Sequence, residues 1–183
     1  SIKVTILPED ATLMIKDVST RMQKAAPGDT IPLTVKLQDQ KGKVTNRIIN
    51  ITIPATARKG ILKIGVTSGA NQDKFEKKLQ LITPPAYNRN QLVYRVAEQP
   101  RGNDIVVSTV LPNETVSFAG ERLLSLSRTK MSVFRSSPRS SVGLLKNYLL
   151  DTVSTQGCIE GEELITLVVQ PESASSSKEA ETQ

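Results

Sequence analysis

The clearest pattern in the chain runs from Pro27 to Pro54. Ile31, Leu33, Val35 and Leu37 alternate with Pro32, Thr34 and Lys36; after a polar connection from Gln38 to Lys43, Ile49, Ile51 and Ile53 alternate with Asn50 and Thr52. A period of two sends every second side chain to one face, so the stretch predicts two strands sharing an apolar face. Both are rich in β-branched residues, which suit a pleated, half-buried surface. Pro27-Gly28-Asp29 is turn chemistry, with φ fixed at the proline and free to be positive at the glycine. A sheet with one dry face requires a second layer.

The same alternation predicts further strands on either side. Ile2, Val4 and Ile6 mark one over Ser1 to Leu7. Leu13, Ile15 and then Val18 mark a second with a bulge, and Leu62, Ile64 and Val66 another that ends near Ser68-Gly69. Short strands separated by turn signals predict a β-sandwich of immunoglobulin-like architecture over residues 1–69.

The period then changes. Phe75, Leu79 and Ile82 fall at near-helical spacing, with Lys74, Lys77 and Lys78 outside and Pro84-Pro85 as a stop. Asn88 or Asn90 is placed to cap a second short helix carrying Leu92 and Val96 four apart. Asp104 to Leu111 reads as a strand, Pro112-Asn113-Glu114 as a turn, and Val116 to Leu126 as a hairpin about Gly120. Ser127 is placed to cap a helix with Met131 and Phe134 inward. Leu144 to Val153 and Glu163 to Val169 read as a final strand pair. Residues 70–170 thus predict a smaller α+β unit of short helices and antiparallel strands. From Pro171 the composition turns to Glu, Ser, Ala and Lys, the signature of a flexible tail over residues 171–183. The fold class expected is mainly β, a β-rich α+β protein.

Composition narrows the chemistry. The chain has 183 residues, 3% aromatics and no tryptophan, so aliphatic side chains must make the core. No apolar run is long enough to span a bilayer as a helix. The chain begins at Ser1 rather than Met, which reads as a processed product or a piece of something longer. Histidine is absent. That excludes Ser-His-Asp and Cys-His catalysis within the chain, and any histidine-ligated metal. The single cysteine, Cys158, allows no internal disulfide and has no histidine to activate it. Phosphate-loop and dinucleotide fingerprints are missing. No cofactor or metal is expected.

Four local signals remain. Ser127-Arg128-Thr129-Lys130 matches S-x-x-K, without the companion S-D-N and K-T-G elements of serine–lysine enzymes, and reads as a helix cap. Glu160, Glu162 and Glu163 cluster without graded calcium-ligand spacing and read as a solvated turn. Asn50-Ile51-Thr52 and Asn113-Glu114-Thr115 match the glycosylation sequon, which has meaning only in a eukaryotic secretory protein. Net charge is +6 and the sequence pI about 9.5. The basic residues are densest at Arg122, Arg128, Lys130, Arg135, Arg139 and Lys146, a candidate anion-binding patch. Single-strand nucleic-acid binding calls for interleaved aromatics, and only Phe134 and Tyr148 are near. Nucleic-acid binding is therefore the lesser reading of the charge.

The order PGDTIPLTVKLQ, ILKIGVTSG, NQLVYRVAEQPRGNDIVVSTVL, VSFAGERLLSLSRTKMSVF and LITLVVQ resembles the region that follows the peptidase domain in exported bacterial proteins of the stage IV sporulation protein B type. Ser125-Leu126-Ser127-Arg128 stands where that family usually places prolines. The peptidase domain's Gly-His motif is not in this chain, so no catalytic residue carries over. The resemblance implies a periplasmic or secreted location in the bacterial envelope and a non-catalytic role. The function expected is an interaction module that binds a protein partner through sheet edges and loops. The first alternative is a structural subunit of a larger assembly, suggested by the missing Met, and the second is a basic nucleic-acid binder.

Overall fold

The computed structural model describes residues 12–123, 128–135 and 142–170. The strand expected over Ser1 to Leu7, the cap at Ser127, the leucines at 124 and 126 and the tail from 171 lie outside them. In chain order the strands are β1 (Leu13–Ser19), β2 (Lys24–Ala25), β3 (Thr30–Asp39), β4 (Val44–Thr52), β5 (Gly60–Ser68) and β6 (Asp104–Phe118). β7 (Glu121–Leu123), β8 (Val142–Ser154), β9 (Ile159–Glu160) and β10 (Glu162–Val169) follow. The helices are α1 (Gln72–Leu79), α2 (Arg89–Ala97) and α3 (Arg128–Arg135). The protein is mainly β with a few short helices, as its alternating pattern predicts.

Two sheets carry the strands. One has the order β4-β3-β1-β9; the other runs β2-β10-β5-β6-β7, with β8 paired to β6. β3 and β4 form the expected hairpin, in register from Thr30 opposite Thr52 to Gln38 opposite Val44. The bulge expected in the strand before it falls between Ile15 and Asp17. Gly28 turns with φ 95°, and Asp29 Oδ2 accepts the Ala26 N–H at 2.7 Å.

The inward residues of both sheets fuse into one core. Ile31, Leu33, Val35 and Leu37 of β3 meet Leu62, Ile64 and Val66 of β5, with Ile105 and Val107 of β6 and Leu167 and Val169 of β10. All are essentially inaccessible to solvent. Each fully buried side chain of this size contributes about 1.5–3 kcal/mol of transfer free energy, so this layer dominates stability. It also crosses the boundary expected at residue 69. β10 pairs with β5 along eight residues, β6 pairs with β5, and β9 pairs with β1. The sandwich is thus completed by strands from the second half of the chain, because β5 needs neighbours on both edges to satisfy its backbone.

Ile64 to Ser68 of β5 and Asp104 to Leu111 of β6 are buried residue after residue, on both faces of the strand, and α1 packs on the outside of β5 at Gly65. Phe75 is the buried apolar side chain of α1, beside the buried Glu76. Leu81, Val110 and Tyr148 form a second small apolar cluster on this side, with Leu79 against it.

Two expectations of local structure are corrected. Pro112-Asn113-Glu114 is not a turn: β6 continues through it to Phe118. Val110 pairs with Tyr148 and Glu114 with Lys146, so Leu111, Pro112 and Asn113 stand opposite Asn147 alone. A proline that cannot donate to a ladder is accommodated by such a bulge. Nor do the last two long strands pair with each other. β8 lies on β6, paired with twelve of its fifteen residues, and β10 lies between β2 and β5. Among the described residues no helix is long and apolar enough to cross a membrane.

Candidate functional site

The sandwich leaves two long strands with one edge unpaired among the described residues. β4 pairs only with β3, and β8 only with β6. Unpaired strand edges present rows of N–H and C=O groups able to bond another chain. β4 and β8 belong to different sheets, yet their edges flank one slot of about 400 Å³. Asn50 and Thr52 line it from β4; Tyr148, Leu149, Leu150 and Asp151 line it from β8. Four consecutive β8 residues include both faces of the strand, so the slot follows the strand's edge. Asn50 and Thr52 are exposed, and they alternate with core residues Ile49 and Ile51.

A cation and a carboxylate share the slot. Arg122 of β7 places its guanidinium 3.8 Å from the centre of the Tyr148 ring and donates Nη1–H to the Tyr148 carbonyl at 3.0 Å. The Tyr148 hydroxyl lies 3.1 Å from Thr83 Oγ1, which pins the ring from its other end. Partial burial pushes the Asp151 carboxyl up from its ordinary range. The slot therefore offers a backbone edge, a stacked guanidinium and a partly desolvated carboxylate. It holds no nucleophile–base pair. What it can do chemically is form hydrogen bonds and ion pairs with an extended segment.

The candidate basic patch is only partly described. Arg122 lies at the slot. Lys146 of β8 donates to the Leu79 carbonyl at 2.9 Å and to Gln80 Oε1 at 3.2 Å. Lys130 is exposed on α3. The side chains of Arg128 and Arg135, and Arg139 altogether, lie outside the described residues. Arg122 and Lys146 are thus each bonded to a different part of the backbone.

The remaining sequence signals resolve as follows. Glu162 pairs with Lys78, and no group of three or more His, Cys, Asp or Glu among the described residues is placed to hold a metal ion. Cys158 is a free, exposed thiol. Asn50 sits on the open edge of β4 and Asn113 in the β6 bulge, where its Oδ1 is buried without a hydrogen-bond partner. Asp151, Thr52 and Leu149 were not legible as site residues. The one available signal was a carboxylate, Asp151, directly after the run Tyr148-Leu149-Leu150 and within the same strand. Comparison with protein-family models, with curated proteins and with solved structures finds no match to this chain.

Proposed function

We propose that the protein is a non-catalytic interaction module that binds a protein partner by accepting an extended segment along the β4 and β8 edges. The observation that carries this reading is the convergence on one slot of two strand edges that are unpaired among the described residues. Strand addition draws affinity from main-chain hydrogen bonds and specificity from side-chain pockets beside them. Arg122 and Asp151 would select charge at two positions of the incoming segment. The envelope or secreted location, and the link to exported peptidase-like proteins, rest on the sequence resemblance alone.

A random peptide display library selected against the purified chain tests the proposal. Selected peptides are expected to shift backbone amide resonances of β8 and β4. Methylating alternate peptide N–H groups should weaken binding by about tenfold or more, because each lost ladder bond costs on the order of 1 kcal/mol. Peptides that bind equally well when methylated, or that leave both strands unperturbed, would defeat it.

A second reading, a structural subunit of a larger assembly, is favoured by α2. None of its side chains is buried, and Leu92, Val93, Tyr94 and Val96 are more than half exposed. Ile82 and Tyr87 just before it are equally open. Contiguous exposed apolar surface of this kind is a mark of association. Sedimentation of the native material decides this reading, and a monomer at working concentration counts against it.

A further inference from the structure

On the outer face of the six-stranded sheet lies a second groove, of about 570 Å³. Its floor is Ile61 and Lys63 of β5 with Leu164 of β10; one wall is the C-terminal half of α1, and the other is the β6 bulge. Ile61 and Leu164 are 59% and 43% exposed, large apolar side chains left open beside a groove. Phe75, Leu79 and Val110 extend the apolar lining beneath.

Three lysines, Lys63, Lys78 and Lys146, line the groove against one carboxylate, Glu114. Lys78 is offset by Glu162. Lys146 bonds a carbonyl and an amide oxygen and stands opposite Glu114 in the ladder, whereas the cross-strand neighbours of Lys63 are the uncharged Val110 and Thr166. Lys63 is exposed on the floor. A groove with apolar floor and excess positive charge complements a ligand that carries both apolar groups and carboxylates.

The placement of the lysines adds a third feature. Lys63 lies on β5 and Lys146 on β8, with β6 between them, so strand spacing sets their backbones roughly 10 Å apart. A ligand that engages both lysines needs more than one carboxylate, which an acidic peptide supplies and a fatty acid does not.

We propose that this groove binds an acidic peptide segment bearing apolar side chains, with Lys63 and Lys146 taking its carboxylates and Ile61 and Leu164 its apolar groups. The groove shares no lining residue with the slot, and this proposal does not depend on the function proposed for the strand edges.

The probe is a fluorescein-labelled, end-capped hexapeptide alternating Glu with Leu and Phe, followed by anisotropy with the full chain. Saturable binding is expected, weakened about tenfold or more by Lys63→Glu and by raising salt from about 0.05 to 0.5 M, since surface charge pairs are screened within a Debye length. Lys63→Met, which keeps the stem and removes the charge, should fall between. Ile61→Asn should weaken binding with charge unchanged. Circular dichroism and melting of each variant confirm the fold. Equal binding by a Gln-for-Glu peptide, or undiminished binding to a folded Lys63→Glu variant, would overturn the proposal. Saturable binding of decanoate with none of the acidic peptide would overturn it too, in favour of a free amphipathic acid.

Discussion

Phe75 of α1 lies directly on Gly65 of β5. A Cβ added at Gly65 would stand 2.2 Å from Phe75 Cε1 and 2.6 Å from Cζ. The missing side chain is what lets an aromatic ring rest on the sheet, and the ring is what fastens α1 there. Gly65→Ala must push the ring away, and overpacking of this kind costs about 1–3 kcal/mol. Phe75→Ala leaves the opposite defect, a void, at about 3–5 kcal/mol. Urea denaturation of both variants is expected to show the two costs, and the smaller Gly65→Ala/Phe75→Ala double change should recover part of the first. A Gly65→Ala protein as stable as the parent would mean that α1 is not seated on this contact.

Gln80 ends α1 in the left-handed conformation, with φ 56°. Its N–H reaches the Lys77 carbonyl at 3.0 Å and the Leu81 N–H reaches the Glu76 carbonyl at 2.9 Å, a Schellman closure with glutamine where glycine is usual. Left-handed backbone costs a non-glycine residue about 1–2 kcal/mol. The Lys146 contact to Gln80 Oε1, exposed to solvent, is worth less than that, about 0.5–1 kcal/mol. Gln80→Gly is therefore expected to stabilise the protein by up to about 1 kcal/mol, offset in part by the loss of Gly's unfolded-state freedom. A lower urea midpoint for the variant would show that the Lys146 contact outweighs the backbone strain.

The strands of the sandwich were legible because each exposes one face to the core, and alternation records that directly. Ile31 to Leu37 and Leu62 to Val66 need no tertiary information to be read. The capping asparagine was legible for a local reason too: Asn88 Oδ1 accepts the Gln91 N–H at 2.9 Å, a bond made within one turn. What alternation does not carry is pairing between distant strands. Nothing in β10 says that it lies beside β5 rather than β8, so the boundary near residue 69 could be drawn through a continuous sheet. The bulge at Pro112 was hidden because a proline followed by Asn113 and Glu114 has the same composition in a turn. The slot was hidden because it is made by two edges that meet only in the folded chain.

Asp104 opens β6 and closes a small polar network. Its Oδ1 accepts the Ser154 Oγ–H at 2.6 Å, and its Oδ2 accepts the Arg101 N–H at 2.7 Å. Those bonds, the Ser154 hydroxyl first, hold its carboxyl below the ordinary range, against the opposing effect of burial. A carboxyl lowered in the folded state stabilises the protein fully above its unfolded value, about 3.9, and the contribution is lost as pH falls through the lower folded value. Asp104→Asn is expected to cost on the order of 1–2 kcal/mol at pH 7, the scale of a hydrogen bond to a charged group. Melting curves from pH 7 to 2 should show the gap between parent and variant closing below about pH 4. A gap that stays constant across that range would assign the cost to shape rather than charge.

Polar contacts, not packing, hold α2 to the sandwich. Arg95 donates to the carbonyls of Pro84 and Gly120, the second at 2.6 Å, and Gln91 Nε2 donates to the Ala119 carbonyl at 3.2 Å. The hairpin tip is shaped to receive them: a Cβ on Gly120 would stand 2.8 Å from the Pro85 carbonyl oxygen. With no buried side chain, α2 has no apolar area to keep it in place once Arg95 is removed. Charge-assisted bonds contribute about 1.5–3 kcal/mol, so Arg95→Ala should let α2 open locally and speed amide exchange there by about tenfold or more. The core strands should keep their protection, because none of their contacts changes. Global melting is expected to move little for the same reason. Mass-spectrometric hydrogen exchange resolves the two regions separately. If α2 of the variant exchanges as slowly as in the parent, an apolar contact is holding the helix. If β5 and β6 lose protection as well, α2 is coupled to the core after all.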